Sequence, residues 1–125
     1  MTFPENLTYT KEHEWVKVDG NVATIGITDF AQGELGDVIF VDIAAGQTVS
    51  AGSSVGSVEA VKTVSDIYSP VSGTISEVNT AVNDAPETVN KDPYGDGWLL
   101  KIEMSNPEEL KQTLSVADYR ALIGQ

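Results

Sequence analysis

With 125 residues, the chain has the length for one domain, residues 1–125, and for a core that needs no covalent staples. It has no cysteine, which excludes disulfides, thiolate zinc sites and a cysteine nucleophile, and fits a reducing compartment. A net charge of −12, from 19 acids against 7 bases, disfavours nucleic acid and anionic membranes and suits partners with basic surfaces. No apolar run approaches the roughly 20 residues of a membrane span. The start, MTFPENLTYTKEHEW, has neither a signal peptide's basic and apolar regions nor a transit peptide's arginines. The expectation is a monomer in bacterial cytoplasm.

Glu14 to Ile27 alternates with period two about Asp19-Gly20-Asn21 and predicts a hairpin. Thr28-Asp29 caps a short helix over FAQGEL, which stops at Gly36. Val38 to Ile43 reads as a strand, Ala44 to Gln47 as a turn, and Thr48-Val49 and Val55 to Val61 as further strand pieces. Ile67-Tyr68 runs into Ser69-Pro70, where proline ends a ladder or marks an edge. Thr74 to Val78 is another strand, Ala81 to Asp96 an acidic loop with a proline, and Trp98 to Glu103 the last strand. Asn106-Pro107-Glu108-Glu109 opens a helix with a cap, a first-turn proline and two acids near its positive end. Ser115 with Asp118 starts another helix, and Gly124 suits its end. Strands dominate, so the fold class is mostly β: an antiparallel sandwich or barrel with one short internal helix and short C-terminal helices. Gly36, Val38, Val41 and Ala44 share their spacing with Gly73, Ile75, Val78 and Ala81, a faint repeat of two β units.

Little in the chain resembles a self-sufficient catalyst. Gly52-Ser53-Ser54-Val55-Gly56 matches the nucleophile-elbow pattern, but strand rather than helix follows it, and the only histidine, His13, lies upstream. One histidine without cysteine makes no usual zinc site, and no calcium-loop run of acids is present. The unexplained residue is Lys62, in EAVKTVSDIYSPVSG. In a straight strand it would share a face with Val58, Ala60, Val64 and Tyr68, burying an unpaired ammonium at a cost of several kcal/mol. A turn at Val61-Lys62-Thr63 removes the conflict and puts Lys62 at a hairpin tip in water. That turn lacks glycine, asparagine and aspartate, and it exposes valines that have no packing reason to be there. Such a tip suits reading by another protein.

A tip lysine followed by SPVSG resembles the lipoyl- and biotinyl-carrier domains, flattened antiparallel barrel-sandwiches of two four-stranded sheets. EHEWV, ATIGITDFAQGELGDVIFVD, VEAVKTVSDIYSPVSG and VNKDPYGDGWLLKIE resemble, in order, segments of the glycine cleavage H-protein family, over about Leu7 to Ile123. The resemblance includes the N-terminal hairpin and C-terminal helix that plain lipoyl domains lack. It implies a non-catalytic carrier with lipoate amide-linked to Lys62. Glu59 and Gly73 match positions that the lipoate-attaching enzyme reads. Glu12, Glu14 and Asp66 match the region where the loaded arm rests. The implied partners are a pyridoxal-phosphate glycine decarboxylase, a folate-dependent aminomethyltransferase, dihydrolipoyl dehydrogenase and the attaching enzyme. The chain departs from common family residues at Glu12 and Thr63, and carries Glu34 where one member has histidine. A biotin carrier would read E-A-M-K-M where this chain reads Glu59-Ala60-Val61-Lys62-Thr63. A lipoyl relay to other dehydrogenases is the alternative job for the same group.

Overall fold

The computed structural model describes residues 1–125. Nine strands form two antiparallel sheets. The larger has the order β1-β2-β3-β9-β8-β5 and the smaller the order β4-β6-β7. The ranges are β1 Thr8–Tyr9, β2 Glu14–Asp19, β3 Val22–Ile27, β4 Val38–Ile43 and β5 Thr48–Val49. They continue with β6 Ser54–Ala60, β7 Val64–Tyr68, β8 Gly73–Val78 and β9 Leu100–Met104. The sandwich is as expected, but no ladder joins the sheets, so no barrel closes, and the layers hold six and three strands rather than four each. The cause is the N-terminal hairpin. β3 pairs directly with β9, so β1 to β3 extend one layer sideways.

The hairpin β2–β3 turns at Gly20, whose φ of 61° favours glycine. Trp15 faces Gly26 across it, and a Cβ at Gly26 would stand 2.6 Å from the indole nitrogen. The glycine is therefore the space in which the indole lies. Helix α1, Asp29–Leu35, begins as expected: the Thr28 side chain accepts from the Ala31 N–H, and Gly36 ends the helix. The helix α4, Val116–Ile123, likewise starts on the Ser115 side chain and ends at left-handed Gly124.

Three expectations need correction. Ala81 to Asp96 is not simply loop: it holds two single-turn helices, α2 (Ala81–Asp84) and α3 (Thr88–Lys91). Neither has a side-chain cap, and four residues are too short for a helical period to show. Tertiary anchors hold them instead, namely fully buried Val82 and Val89 and the Asn90 side chain, which donates to the Gly36 carbonyl and accepts from the Val38 N–H. Pro107–Gln112 is a 3-10 turn rather than an α-helix, and Asn106 does not cap it. The last strand starts at Leu100, because the Trp98 N–H turns back to the Gly95 carbonyl.

The faint repeat has a structural counterpart. The ladder slips by one residue between Val38 and Phe40 in β4, and again between Ile75 and Glu77 in β8. Val38 and Ile75 occupy the same place in the repeat, so both units carry a bulge at the same step.

The main core lies between the two sheets and draws on both, with Val16, Ile25, Val41, Val58, Ile67, Ile75 and Ile102 among its members. A second, aromatic cluster of Phe3, Leu7, Tyr9, Trp15 and Tyr119 lies outside it, under α4.

Candidate functional site

Lys62 stands at the tip of the β6–β7 hairpin. Strand pairing runs from Ser54↔Tyr68 to Glu59↔Val64, and the Ala60 N–H donates to the Thr63 carbonyl at 2.8 Å to close the turn. The predicted turn at Val61-Lys62-Thr63 is therefore present, and the strand ends one residue earlier than expected, at Ala60. The Val61 N–H donates to the Asp37 carbonyl at 3.0 Å, which ties the tip to the residue before β4. A turn without glycine is thus held by ladder bonds on both sides. Lys62 is exposed, and its ammonium takes part in neither of the two ion pairs, Lys101–Glu77 and Lys111–Glu108. It is the only Lys or Arg between Lys17 and Lys91.

Glu59 is half-buried, three residues before Lys62, and faces Val64 across the ladder. Gly73 is buried at the start of β8, where a Cβ would stand 2.0 Å from the Glu103 carbonyl oxygen. The β8–β9 ladder therefore demands a glycine there on packing grounds alone.

Beside the hairpin, a cleft of about 340 Å³ opens between α1 and β7. Ile27, Phe30, Ala31, Leu35 and Ile67 make its apolar floor. Glu12, Glu34 and Asp66 bring carboxylates to it, and no lysine or arginine lines it. Asp66 is four residues beyond Lys62, so at ~3.3 Å per residue the cleft begins roughly 10–13 Å from the tip. Glu12 also lines a second, polar cleft of about 330 Å³, together with Glu14, Tyr68, Ser69 and Gln112. The structure thus brings Glu12 and Asp66 together in one cleft and sets Glu14 in its neighbour.

Glu14 is 1% exposed. One carboxylate oxygen accepts from the Thr10 hydroxyl at 2.8 Å, and the other from the Tyr68 N–H at 3.0 Å. It therefore links β2 in one sheet to β7 in the other. Burial without a cation pushes its carboxyl up to about 7. The two hydrogen bonds oppose that rise, and the nearby Glu12 carboxylate adds to it.

His13 had no evident role in the sequence, yet it forms one wall of the cleft. Its φ of 68° is the only positive value at a non-glycine residue. The bend follows a turn in which the His13 N–H donates to the Thr10 carbonyl, while the His13 carbonyl accepts from the Thr28 N–H. The ring lies against Phe30, and Nδ1 is 2.9 Å from the Tyr119 hydroxyl, itself 2.7 Å from the Thr28 hydroxyl. That chain occupies Nδ1 and leaves Nε2 without a hydrogen-bond partner in the protein. Burial holds the imidazole below its ordinary pKa, against the pull of Glu12 and Glu34. Glu34 was likewise missed as a cleft residue. Its signals were the departure from one family member at that position and a one-turn stagger from Phe30 on α1, and neither by itself placed it in the cleft.

The nucleophile-elbow reading fails on geometry. Ser54 opens β6, which continues as strand to Ala60, so no helix follows the serine.

The description "Glycine cleavage H-protein" belongs to a family model that matches residues 7–125. The chain belongs to that family. A glycine cleavage system H protein of Carboxydothermus hydrogenoformans is 54% identical, over 96% of this chain and 93% of that one. Another, from Chlorobium limicola, is 53% identical over the full length of both. The crystal structure of a glycine cleavage system H protein from Mycobacterium marinum superposes with a TM-score of 0.91 at 41% identity, covering 98% of this chain and 100% of that one. Members of the family serve glycine cleavage as lipoyl carriers and do not catalyse it. No helix here is long and apolar enough to cross a membrane.

Proposed function

We propose that Lys62 carries lipoate as an amide, and that the loaded arm travels between the tip and the cleft of Glu12, His13, Glu34 and Asp66. The observation that carries this reading is the pairing of an exposed, unpartnered tip lysine with an anionic, apolar-floored cleft beside the same hairpin. Attachment joins Nζ to the carboxyl carbon of an activated lipoyl donor. The bond from that carbon to its leaving group breaks, two of the ammonium's protons pass to solvent, and the third stays on the amide nitrogen. The lysine charge is lost in the process. A lysine stem and lipoyl chain of on the order of ten bonds reach roughly 14 Å, which matches the distance from tip to cleft.

When bound, the lipoyl group supplies a dithiolane that accepts, carries and releases the aminomethyl unit of glycine. The protein's own residues hold and shelter it. The apolar floor of Ile27, Phe30, Leu35 and Ile67 takes the hydrocarbon part of the arm. Glu12 and Asp66 hold a protonated amine by charge and hydrogen bonding, and Glu14 fixes the strand behind them. Glu59 and Gly73 contribute to recognition by the attaching enzyme: Glu59 through its side chain, Gly73 by allowing β8 to run close to β9 behind the hairpin. Partners on this reading are the pyridoxal-phosphate glycine decarboxylase, the folate-dependent aminomethyltransferase and dihydrolipoyl dehydrogenase. Tethering replaces free diffusion of the group with a high local concentration.

The test is the mass of the protein from cells supplied with lipoate. Wild type gains one lipoyl amide on the Lys62 peptide, and Lys62→Arg gains none. A wild-type chain that stays unmodified, or is modified elsewhere, overturns the reading. For the cleft, Glu12→Gln with Asp66→Asn shortens the lifetime of the aminomethyl-loaded protein without changing lipoylation. An unchanged lifetime removes those carboxylates from the sheltering role.

A further inference from the structure

Few large apolar side chains lie exposed, and four of them crowd the lysine tip. Val61 is 68% exposed, Val64 59%, and Ile39 and Phe40 50% each. Register makes them neighbours. Phe40 pairs with Glu59, and Glu59 with Val64, so the three form one row across the outer face of the small sheet. The Val61 N–H reaches the Asp37 carbonyl, which brings Val61 beside the start of β4.

The internal repeat supplies a control. The bulge in β4 leaves Ile39 and Phe40 both outside, and the equivalent bulge in β8 leaves Ser76 and Glu77 outside. The same backbone step thus takes a polar pair in one unit and an apolar pair in the other. The fold does not require Ile39-Phe40.

Charge surrounds the patch with one sign. Exposed Asp37, Asp42 and Asp66 rim it, and Glu59 sits in the Phe40–Val64 row. The only nearby cation is Lys62, the group that is consumed.

We propose that the patch of Ile39, Phe40, Val61 and Val64 is the docking surface for the enzyme that acylates Lys62, which meets it with an apolar centre and a rim of lysine or arginine. This rests on the function proposed above and adds the surface by which the acylating enzyme binds. Reach selects this enzyme among the partners. To acylate Nζ it must bring its reacting carbon within a lysine side chain of the backbone, so its surface must cover the residues around the tip. Enzymes that act at the far end of the arm work across the roughly 14 Å tether and need not touch the tip. An apolar centre within a charged rim of fixed sign is the usual build of a specific contact.

The experiment compares wild type with Ile39→Ser/Phe40→Ser and with Asp42→Lys. It uses a bacterial lipoate-attaching enzyme with ATP and lipoic acid, read by intact mass. Loss of one aromatic anchor predicts a fall of about tenfold or more in kcat/KM for attachment, through KM. Asp42→Lys should also raise KM and flatten its dependence on salt. Each variant, driven to full lipoylation by long incubation, is then given to glycine decarboxylase with glycine, where the rate should match wild type. Attachment at the wild-type rate overturns the patch. So does an equal fall in both steps, which would place the surface with partners in general. Wild type that takes no lipoyl group at Lys62 overturns the underlying reading instead, before any variant is compared.

Discussion

Two regions of the molecule invert the usual arrangement of polar and apolar groups in opposite ways. Around Lys62, large apolar side chains stand in water, with an unpaired lysine among them. Under α4, polar atoms lie inside an aromatic cluster, and each has its partner. The Tyr9 hydroxyl donates to the Pro4 carbonyl at 2.6 Å, the Trp15 indole to the Pro93 carbonyl at 2.9 Å, and the Tyr119 hydroxyl joins Thr28 and His13. Tyr9 stacks on Tyr119 with centroids 4.9 Å apart, and Phe3 meets both rings edge-on. The first region leaves half or more of each of its apolar side chains exposed. The second fixes one wall of the cleft, because its buried hydroxyl holds the His13 ring.

The comparison breaks most sharply at Tyr119. Tyr119→Ala removes a fully buried ring and should destabilise the fold by about 3–5 kcal/mol, as large-to-small aromatic changes do. Phe40→Ser, at a half-exposed ring of similar size, should cost under about 1 kcal/mol. Urea unfolding of both variants measures the contrast. A costly Phe40→Ser would mean that the tip patch is structural, and the two regions would then differ only in position.

Much of this was legible in the sequence, and what was not has identifiable physical causes. Valines around one lysine conflict with either face of a strand, and that conflict located the tip. Thr28, Ser115 and Gly124 announced their helix ends through capping chemistry that depends on single residues. The bulge at Ile39 left no trace, since one inserted residue shifts register without altering the apolar run. The burial of Glu14, though not the residue itself, was equally hidden. Glu14, Trp15 and Val16 are all buried, so both faces of β2 are covered at that end and alternation disappears. His13 needed its left-handed backbone and the distant Tyr119, which sequence spacing cannot supply. Each missed site residue owes its place to an element far away in the chain. Lys62 owes its place to its own hairpin.

A smaller effect sharpens the same contrast, because Glu14 is a buried polar group that joins the two sheets without an opposite charge. Its carboxyl titrates near 7 in the folded chain, against 4.5 for an unperturbed glutamate. A raised acid pKa means that the folded state holds the proton more tightly than the unfolded state. Between about pH 4.5 and 7 the unfolded chain has released its proton while the folded chain still binds one, so Glu14 lowers stability as pH rises through that window. The loss is on the order of 3 kcal/mol by pH 8. Glu14→Gln keeps an oxygen for the Tyr68 N–H and offers an amide N–H to the Thr10 hydroxyl, and it cannot ionise. Relative to wild type, the variant should therefore gain stability from pH 5 to pH 8 by about that amount, measured as the difference between their urea midpoints at each pH. His13, held below its ordinary pKa, bends the stability of both proteins alike at acid pH and cancels in that difference. A difference that does not change with pH would mean the Glu14 carboxylate is already ionised in the fold. The two clefts would then meet at a fixed charge rather than at a neutral acid, and Glu14 would stand as a fourth carboxylate next to the cleft that already holds Glu12, Glu34 and Asp66.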